Sequence, residues 1–307
     1  MNLGLHLAIG VDLGGTRIKA ALVDRHAGTL VRTCSAPTRD GEWIGSEPLF
    51  AHSVRDLIHE LETGAGGGPL PVGLCAPGIA HRNGRSIAWM PGRMHGLETF
   101  DWPLFLEREV RVLNDAHSAL LGEVWVGSAR GCRDVFMLTL GTAVGGAILS
   151  DGKLLRGHIG RAGNLGRLCI QADGEQDAFG TPGSLASHFG NQSLLRRSGG
   201  RFGSTQDLVA ATLAGDGEAA AVWDASIRSL AVAVASLINV LDPECVILGG
   251  GVAAGAGDAL LAPLQKYLDS YEWRPGGQKV RLALASAGEW AGACGSVRDF
   301  EQRPSQS

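Results

Sequence analysis

The chain of 307 residues has no long basic run, and its formal net charge is −4. A nucleic-acid groove or a face for an anionic membrane needs clustered Lys and Arg. Neither partner is expected, and small neutral or anionic metabolites stay open. The six cysteines, Cys34, Cys75, Cys132, Cys169, Cys245 and Cys294, stand mostly inside apolar runs and show no CxxC spacing. This excludes a disulfide framework and reads as small buried hydrophobes in a reducing cytoplasm. Residues 1–6 carry no basic region or cleavage signal and run straight into the first strand, and no apolar run reaches membrane-spanning length. A cytoplasmic location is the expectation.

What is plentiful is glycine, at 46 residues roughly twice the usual share. It shows no collagen-like period, which predicts many tight turns. Hydrophobic residues at 45% and charged residues at 19% describe a globular chain, long enough for two domains, each with its own core.

The stretch around which the chain is organised runs from Ile9 to Asp24. An apolar run ends in Asp12, turns on Gly14 and Gly15, and continues as a second apolar run, the pattern of a β-hairpin with an acid and bare backbone amides at its bend. Glycine lets a phosphate approach the backbone, Thr16 adds a hydroxyl donor, and Asp12 can hold a magnesium ion through water. An ordinary edge hairpin fits this stretch equally well when it is taken alone. The pattern comes twice, however. An offset of 127 positions sets Val11 to Thr16 against Leu138 to Ala143 and continues without a gap to Asp24 and Asp151. Two hairpins of one design imply a duplicated domain, whose Gly14/Gly15 and Gly141/Thr142 turns can grip neighbouring phosphates of one nucleotide.

Along the chain, Leu30 to Cys34 reads as a third strand, and helical spacing runs from Gly45 to Thr63. Leu70 to Cys75 reads as a buried strand that stops at Ala76-Pro77-Gly78, and ligands of α/β proteins bind at such carboxyl ends. Val110 to Leu113 delivers Asn114-Asp115-Ala116 at a strand tip, with a helix from Ser118 onward. The acid there fits a helix cap. Beside two phosphate-suited turns it also fits the carboxylate that phosphoryl transfer to a hydroxyl requires. Ala219 to Leu241 is a long amphipathic helix stopped by Asp242-Pro243. A buried strand, Cys245 to Leu248, leads into Gly249-Gly250-Gly251, where bare backbone can take the flat face of a purine and its ribose. Val280 to Ala285 is the last strand, followed by small residues from Ala287 to Ser296 and a frayed polar tail.

Placed together, these pieces resemble the ROK family of sugar kinases, within the actin, hexokinase and heat-shock ATPase superfold. The resemblance runs from Ile9 to about Phe300. It is carried by Asp12-Leu13-Gly14-Gly15-Thr16, by Asn114-Asp115-Ala116 with Gly122-Glu123, by Leu140 to Gly146, and by Leu241-Asp242-Pro243 through Val252. It implies an α/β, two-domain, actin-like ATPase fold (ribonuclease H-like and duplicated) with a central nucleotide and sugar cleft. The expected division is a small N-terminal domain over residues 1–117, on which residues 290–307 pack back, and a larger domain over 118–289. ATP and magnesium are the implied cofactors, Asp115 the base on a sugar hydroxyl at C6, Asn114 and Gly78 sugar-side residues, and a homodimer the implied assembly. Regulators of the family carry an N-terminal DNA-binding helix-turn-helix, for which a hairpin starting at residue 9 leaves no room.

The chain departs from the family pattern in one region. Where family kinases carry Glu-x-Gly-His, this chain has Asn164-Leu165-Gly166-Arg167, and the zinc loop with its three cysteines aligns with Asp177 to Ala186. With no thiolate or imidazole left, no zinc site is expected. Arg161 and Arg167 can pair with Asp173, Glu175 and Asp177 to hold the loop, each exposed pair being worth about 0 to 1 kcal/mol. Alternatively the pocket has changed its substrate. Asn164 removes a charged acceptor, and Arg167 offers a fork of donors suited to a carboxylate, a phosphate or a polyol. His117, His158 and His188 fit structural roles better than ligand roles, and Trp89 and Trp102 fit core or lid packing as well as sugar stacking. The expected function is ATP-dependent phosphorylation of a hexose, amino sugar or related polyol, with polyphosphate open as a donor. The alternative is a catalytically weak sugar-binding regulator. A chaperone of the same superfold would need a substrate-binding domain that this chain lacks.

Overall fold

The computed structural model describes residues 6–66 and 68–302. The reading of residues 1–5 as a run-in to the first strand, and of the end of the tail as frayed, falls outside them. The chain divides into two compact units, one of residues 1–131, 156–161 and 286–307, the other of 132–155 and 162–285.

Each unit is built on a five-stranded sheet. In the first, β1 (Leu7–Leu13), β2 (Arg17–Asp24), β3 (Leu30–Pro37), β4 (Val72–Ala76) and β5 (Val110–Asn114) lie in the order β3-β2-β1-β4-β5. In the second, β6 (Val135–Leu140), β7 (Val144–Ser150), β8 (Lys153–Leu154), β9 (Cys245–Gly249) and β10 (Arg281–Leu284) lie in the order β8-β7-β6-β9-β10. Both sheets are an antiparallel meander extended by two parallel strands. The duplicated pattern in the sequence is thus a duplicated topology, the architecture of the actin-like ATPase fold.

The two hairpins are not superposable residue by residue. Leu13 pairs with Ile18 in the first, leaving four residues in the turn, whereas Leu140 pairs with Val144 in the second, leaving three. A slip of one residue reverses which side chains face the core. Ile18, Ala20 and Leu22 therefore join the main core of the first unit. In the second unit Val144 and Ile148 do so, at the positions matching Arg17 and Ala21. The ungapped sequence match hides this slip.

Glycine does more than turn the chain. The helix Ala291–Gln302 lies against β1, β4 and the helix Asp115–Val126 of its own unit. A Cβ on Gly10 would come 2.0 Å from the Ala293 carbonyl oxygen, one on Gly73 2.3 Å from that of Ser296, and one on Gly295 1.7 Å from that of Ser118. These positions are glycine because backbone meets backbone there, which corrects the assignment of the glycine excess to loops alone. The small residues from Ala291 to Ser296 lie in this helix.

Two further expectations are corrected. The helix Gly217–Leu241 is, by length and composition, apolar enough to cross a membrane. It packs Trp223, Ile227, Leu230, Val234 and Leu237 into the core of the second unit and caps its first turn with Asp216. Only Cys75, Cys245 and Cys294 are buried, while Cys34 and Cys132 are half-buried and Cys169 is exposed.

Candidate active site

In the first unit the parallel strands bring three carboxyl ends to one edge. Asp12 pairs across the sheet with Cys75, Cys75 with Leu113, and Ala76 with Asn114. The acid of the hairpin and the Asn-Asp pair of β5 are neighbours for that reason. Asn114 caps the helix that follows: its Oδ1 accepts from the backbone N–H groups of Ala116 and His117 at 2.9 and 3.1 Å, so the helix starts at Asp115 rather than Ser118. Its Nδ2 donates to the Gly78 carbonyl oxygen and to Asp115 Oδ1, both at 2.8 Å. Gly78, at φ 103°, has no room for a side chain, since a Cβ would lie 2.6 Å from the Trp89 carbonyl oxygen. Asn114 and Gly78 together fix the orientation of the Asp115 carboxylate.

The two acids differ in setting. Asp12 is pushed up to about 6, first by burial and then by the negative charge of Asp115, against smaller opposite effects of Lys19 and the Cys75 thiol, whose Sγ donates to Oδ1 at 3.6 Å. Asp115 reaches solvent, yet the protein around it raises its pKa. The Ala116 N–H, the Arg93 guanidinium and Asn114 work against that rise and favour the ionised form. An accessible carboxylate held by its neighbours can accept a proton from a hydroxyl. The glycine turn beside it is pinned by Thr38, fully buried, whose hydroxyl donates to the Gly14 carbonyl oxygen at 2.6 Å while its N–H donates to the Thr16 carbonyl oxygen at 3.0 Å. Gly15 and Thr16 remain exposed.

In the second unit, Gly141 and Thr142 line a cavity of about 540 Å³, together with Asn191, Thr205, Gly251 and Val252. The second turn is held by backbone, as the N–H groups of Asn191 and Gln192 donate to the carbonyl oxygens of Gly141 and Thr142 at 3.0 and 2.8 Å. Gly250, at φ 87°, opens the helix Gly250–Ala256, and a Cβ there would meet the Leu140 carbonyl oxygen at 2.4 Å. A Cβ on Gly251 would meet nothing within 4 Å. Of the three glycines, Gly250 makes the close approach to the second turn, Gly251 offers bare backbone to the cavity, and Gly249 ends β9 against Met137 and Ala285.

Asn164 is exposed, and its carbonyl oxygen accepts from the Arg167 N–H at 3.1 Å. The Arg167 guanidinium is engaged within its own unit: Nη1 pairs with Asp177 Oδ2 at 2.5 Å, and the group lies 4.0 Å from the Phe179 ring centroid. Burial pushes the Asp177 carboxyl up, but the Phe179 N–H, Arg167, Ser184 and the Thr181 N–H outweigh it and hold it below the usual range. The Asp177 side chain is 5% exposed, so this pair is not one of the weak surface pairs expected from the sequence. Glu175 pairs with Arg196 instead of Arg161 or Arg167.

Of the remaining candidates, Trp102 is fully buried among Phe50, Phe100 and Phe105, and Trp89 is exposed. The His188 ring bonds to the Ser184 carbonyl oxygen and to Gln171. Thr38, which pins the first turn, went unnoticed in the sequence because nothing in its neighbourhood marks it, and Cys75 reads there as a strand end and a buried hydrophobe but not as a neighbour of Asp12.

Comparison with known proteins shows the family of the chain. The family model described as ROK family matches residues 8–302. A glucokinase of Halalkalibacterium halodurans is 30% identical, with 94% of this chain and 92% of the relative covered. Among solved structures, the ROK hexokinase of Thermus thermophilus is 28% identical with a TM-score of 0.82, covering 97% of this chain and all of the other. A ROK family glucokinase of Streptomyces griseus, in complex with glucose and AMPPNP, is 25% identical with a TM-score of 0.76, again over 97% and 100%. The fold and these relatives define a sugar kinase of the actin-like ATPase class. The chain belongs to the ROK family.

Proposed function

We propose that the protein transfers the γ-phosphoryl group of ATP to a hydroxyl, that at C6, of a hexose, an amino sugar or a related polyol. The observation that carries the reading is the Asp115 carboxylate: accessible, opening a helix at a strand tip, and oriented by Asn114. As base, it accepts the hydroxyl proton while the oxygen attacks phosphorus. Such a group contributes roughly a hundred- to ten-thousandfold in rate. The turn Gly14-Gly15-Thr16 is assigned to the transferred phosphate, Gly141 and Thr142 to the neighbouring phosphates, and the cavity at Gly251 to the nucleoside. A volume of about 540 Å³ suits a ligand of that size.

Asp12 suits magnesium held through water. An acid raised to about 6 is returned to its ionised form by a divalent charge nearby. When bound, the ion neutralises phosphate charge. Asn164 is read as a sugar-side residue, and Arg167, already engaged by Asp177 and Phe179, as one that shapes the sugar side through its loop.

The test is coupled ADP release with magnesium and ATP over glucose, mannose, N-acetyl amino sugars, acidic sugars and cyclitols, with Asp115→Asn as the blank. Turnover on one member and loss in the blank by roughly a hundredfold or more, with ATP affinity retained, is the expected result. A variant that keeps its turnover refutes the base assignment. Sugar binding with no turnover by the wild type moves the reading to a regulator.

A further inference from the structure

The loop from Met90 to Asp101 carries one cation that the reading above leaves without a task. A Cβ on Gly15 would lie 3.5 Å from Arg93 Nη1, so the guanidinium stands beside the first glycine turn, at the place a side chain there would reach. The same guanidinium is the positive charge that acts on the Asp115 carboxylate. It reaches both while its own residue stays exposed, because the next residue is anchored. Met94 is 1% exposed, its N–H donates to Asp40 Oδ2 at 2.9 Å, and its carbonyl oxygen accepts from the Leu97 N–H at 3.0 Å. The other arginine of this loop region, Arg85, is taken up by a bidentate pair with Asp101.

We propose that Arg93 is a further residue of the phosphoryl-transfer site, its guanidinium set over the Gly14-Gly15-Thr16 turn and beside Asp115 to hold the phosphoryl group in transit. The proposal rests on the assignment of Asp115 as base. In the step concerned, the sugar hydroxyl oxygen forms a bond to the γ-phosphorus of ATP as the bond from that phosphorus to the bridging oxygen of ADP breaks. The hydroxyl proton passes to Asp115, and ADP leaves with the bonding electrons. Charge is spread over the three non-bridging oxygens of the moving group, and a planar fork of donors matches that geometry better than a point charge. An arginine in this role contributes about 10³ to 10⁵ in other phosphoryl transferases. On a loop that stays open to solvent, about a hundredfold is expected.

Arg93→Met and Arg93→Lys, assayed beside wild type and Asp115→Asn, test it with two readouts: turnover of glucose, mannose and N-acetylmannosamine, and the affinities for ADP and AMPPNP by calorimetry. The expected result is a kcat lower by about a hundredfold in Arg93→Met with the sugar KM within threefold of wild type, partly recovered in Arg93→Lys. Arg93→Met also loses the preference for AMPPNP over ADP while its ADP affinity is unchanged. A kcat within threefold of wild type, or, should none of the three sugars turn over, an unchanged AMPPNP-to-ADP ratio, overturns the proposal. An inactive Asp115→Asn beside a fully active Arg93→Met removes Arg93 alone. An active Asp115→Asn removes the base assignment, and the nucleotide ratio then decides Arg93 by itself.

Discussion

The two glycine turns of this kinase come from one design, and they have diverged in what holds them and what they face. The first has four residues, an acid two positions before it on the strand, and a side chain, Thr38, as its support. The second has three residues and Thr139 where the first has Asp12. Backbone donors from the helix Asn191–Arg197 support it, and a wide cavity lies beside it. One scaffold has thus produced a charged turn with two carboxylates at its edge and a neutral turn that opens to a nucleoside-sized space. The difference teaches that duplication repeats the strand order, while the residues in and around each turn set its length, its charge and what supports it.

The largest expected effect comes from giving the first turn the neutrality of the second. Asp12→Asn removes an acid whose pKa of about 6 lies above its ordinary value because burial and Asp115 disfavour the charge. A raised native pKa means that the acid favours the fold below its unfolded value, and that this contribution is lost as pH rises through about 6. Above that, the ionised form is a cost of roughly 1–3 kcal/mol. The asparagine variant is therefore expected to lose turnover by about a hundredfold or more. Without magnesium at pH 8 it should melt a few degrees above wild type, an advantage that falls by about half at pH 5 and is lost below about pH 4. A lower melting temperature at pH 8 would break the contrast between the two turns.

Next in size is the second turn, where neighbouring glycines should respond unequally. Gly250→Ala combines a positive φ with a clash against the Leu140 carbonyl oxygen, and its expected cost is about 2–4 kcal/mol together with weakened binding of ADP. Gly251→Ala meets open space and should leave the melting temperature within a degree or two while altering only the nucleotide KM. Thermal unfolding and ADP titration of the pair decide it; equal losses would mean that the cavity backbone is as constrained as the turn.

The sheets, the hairpins and the Asn114-Asp115 tip were legible in the sequence because they rest on short-range pattern: alternation, glycine pairs, and a polar pair ending an apolar run. The close packing of the Ala291–Gln302 helix was not, since its backbone approaches are made at Gly10, Gly73 and Gly295, which carry no apolar period and look like turn residues until the backbones that meet them are known. Nor was the register slip, because an ungapped match of residues says nothing about which partner each one faces. The pairing of Arg167 with Asp177 lay between two readings, loop support and substrate contact, and charge alone at ten residues' separation does not choose between them. Arg93 left no trace at all, as its neighbours Gly15 and Asp115 are brought to it only by the sheet.

The smallest expected effect tests the supports themselves. Thr38→Val keeps the shape of a fully buried residue and removes the one hydroxyl that donates to the Gly14 carbonyl oxygen. The backbone bond from Thr38 to Thr16 remains, so the turn is loosened rather than lost. A buried hydrogen bond of this kind is worth about 1 kcal/mol, which corresponds to a severalfold rise in KM for ATP and a drop of a few degrees at most in melting temperature. Affinity for adenosine, which lacks phosphates, should not change, because the cavity beside the second turn shares no residue with this bond. The second turn offers no equivalent substitution, since its donors are main-chain N–H groups. Should Thr38→Val weaken adenosine as much as ATP, the two turns would have to be coupled in binding, and the division of labour argued from their different supports would fail.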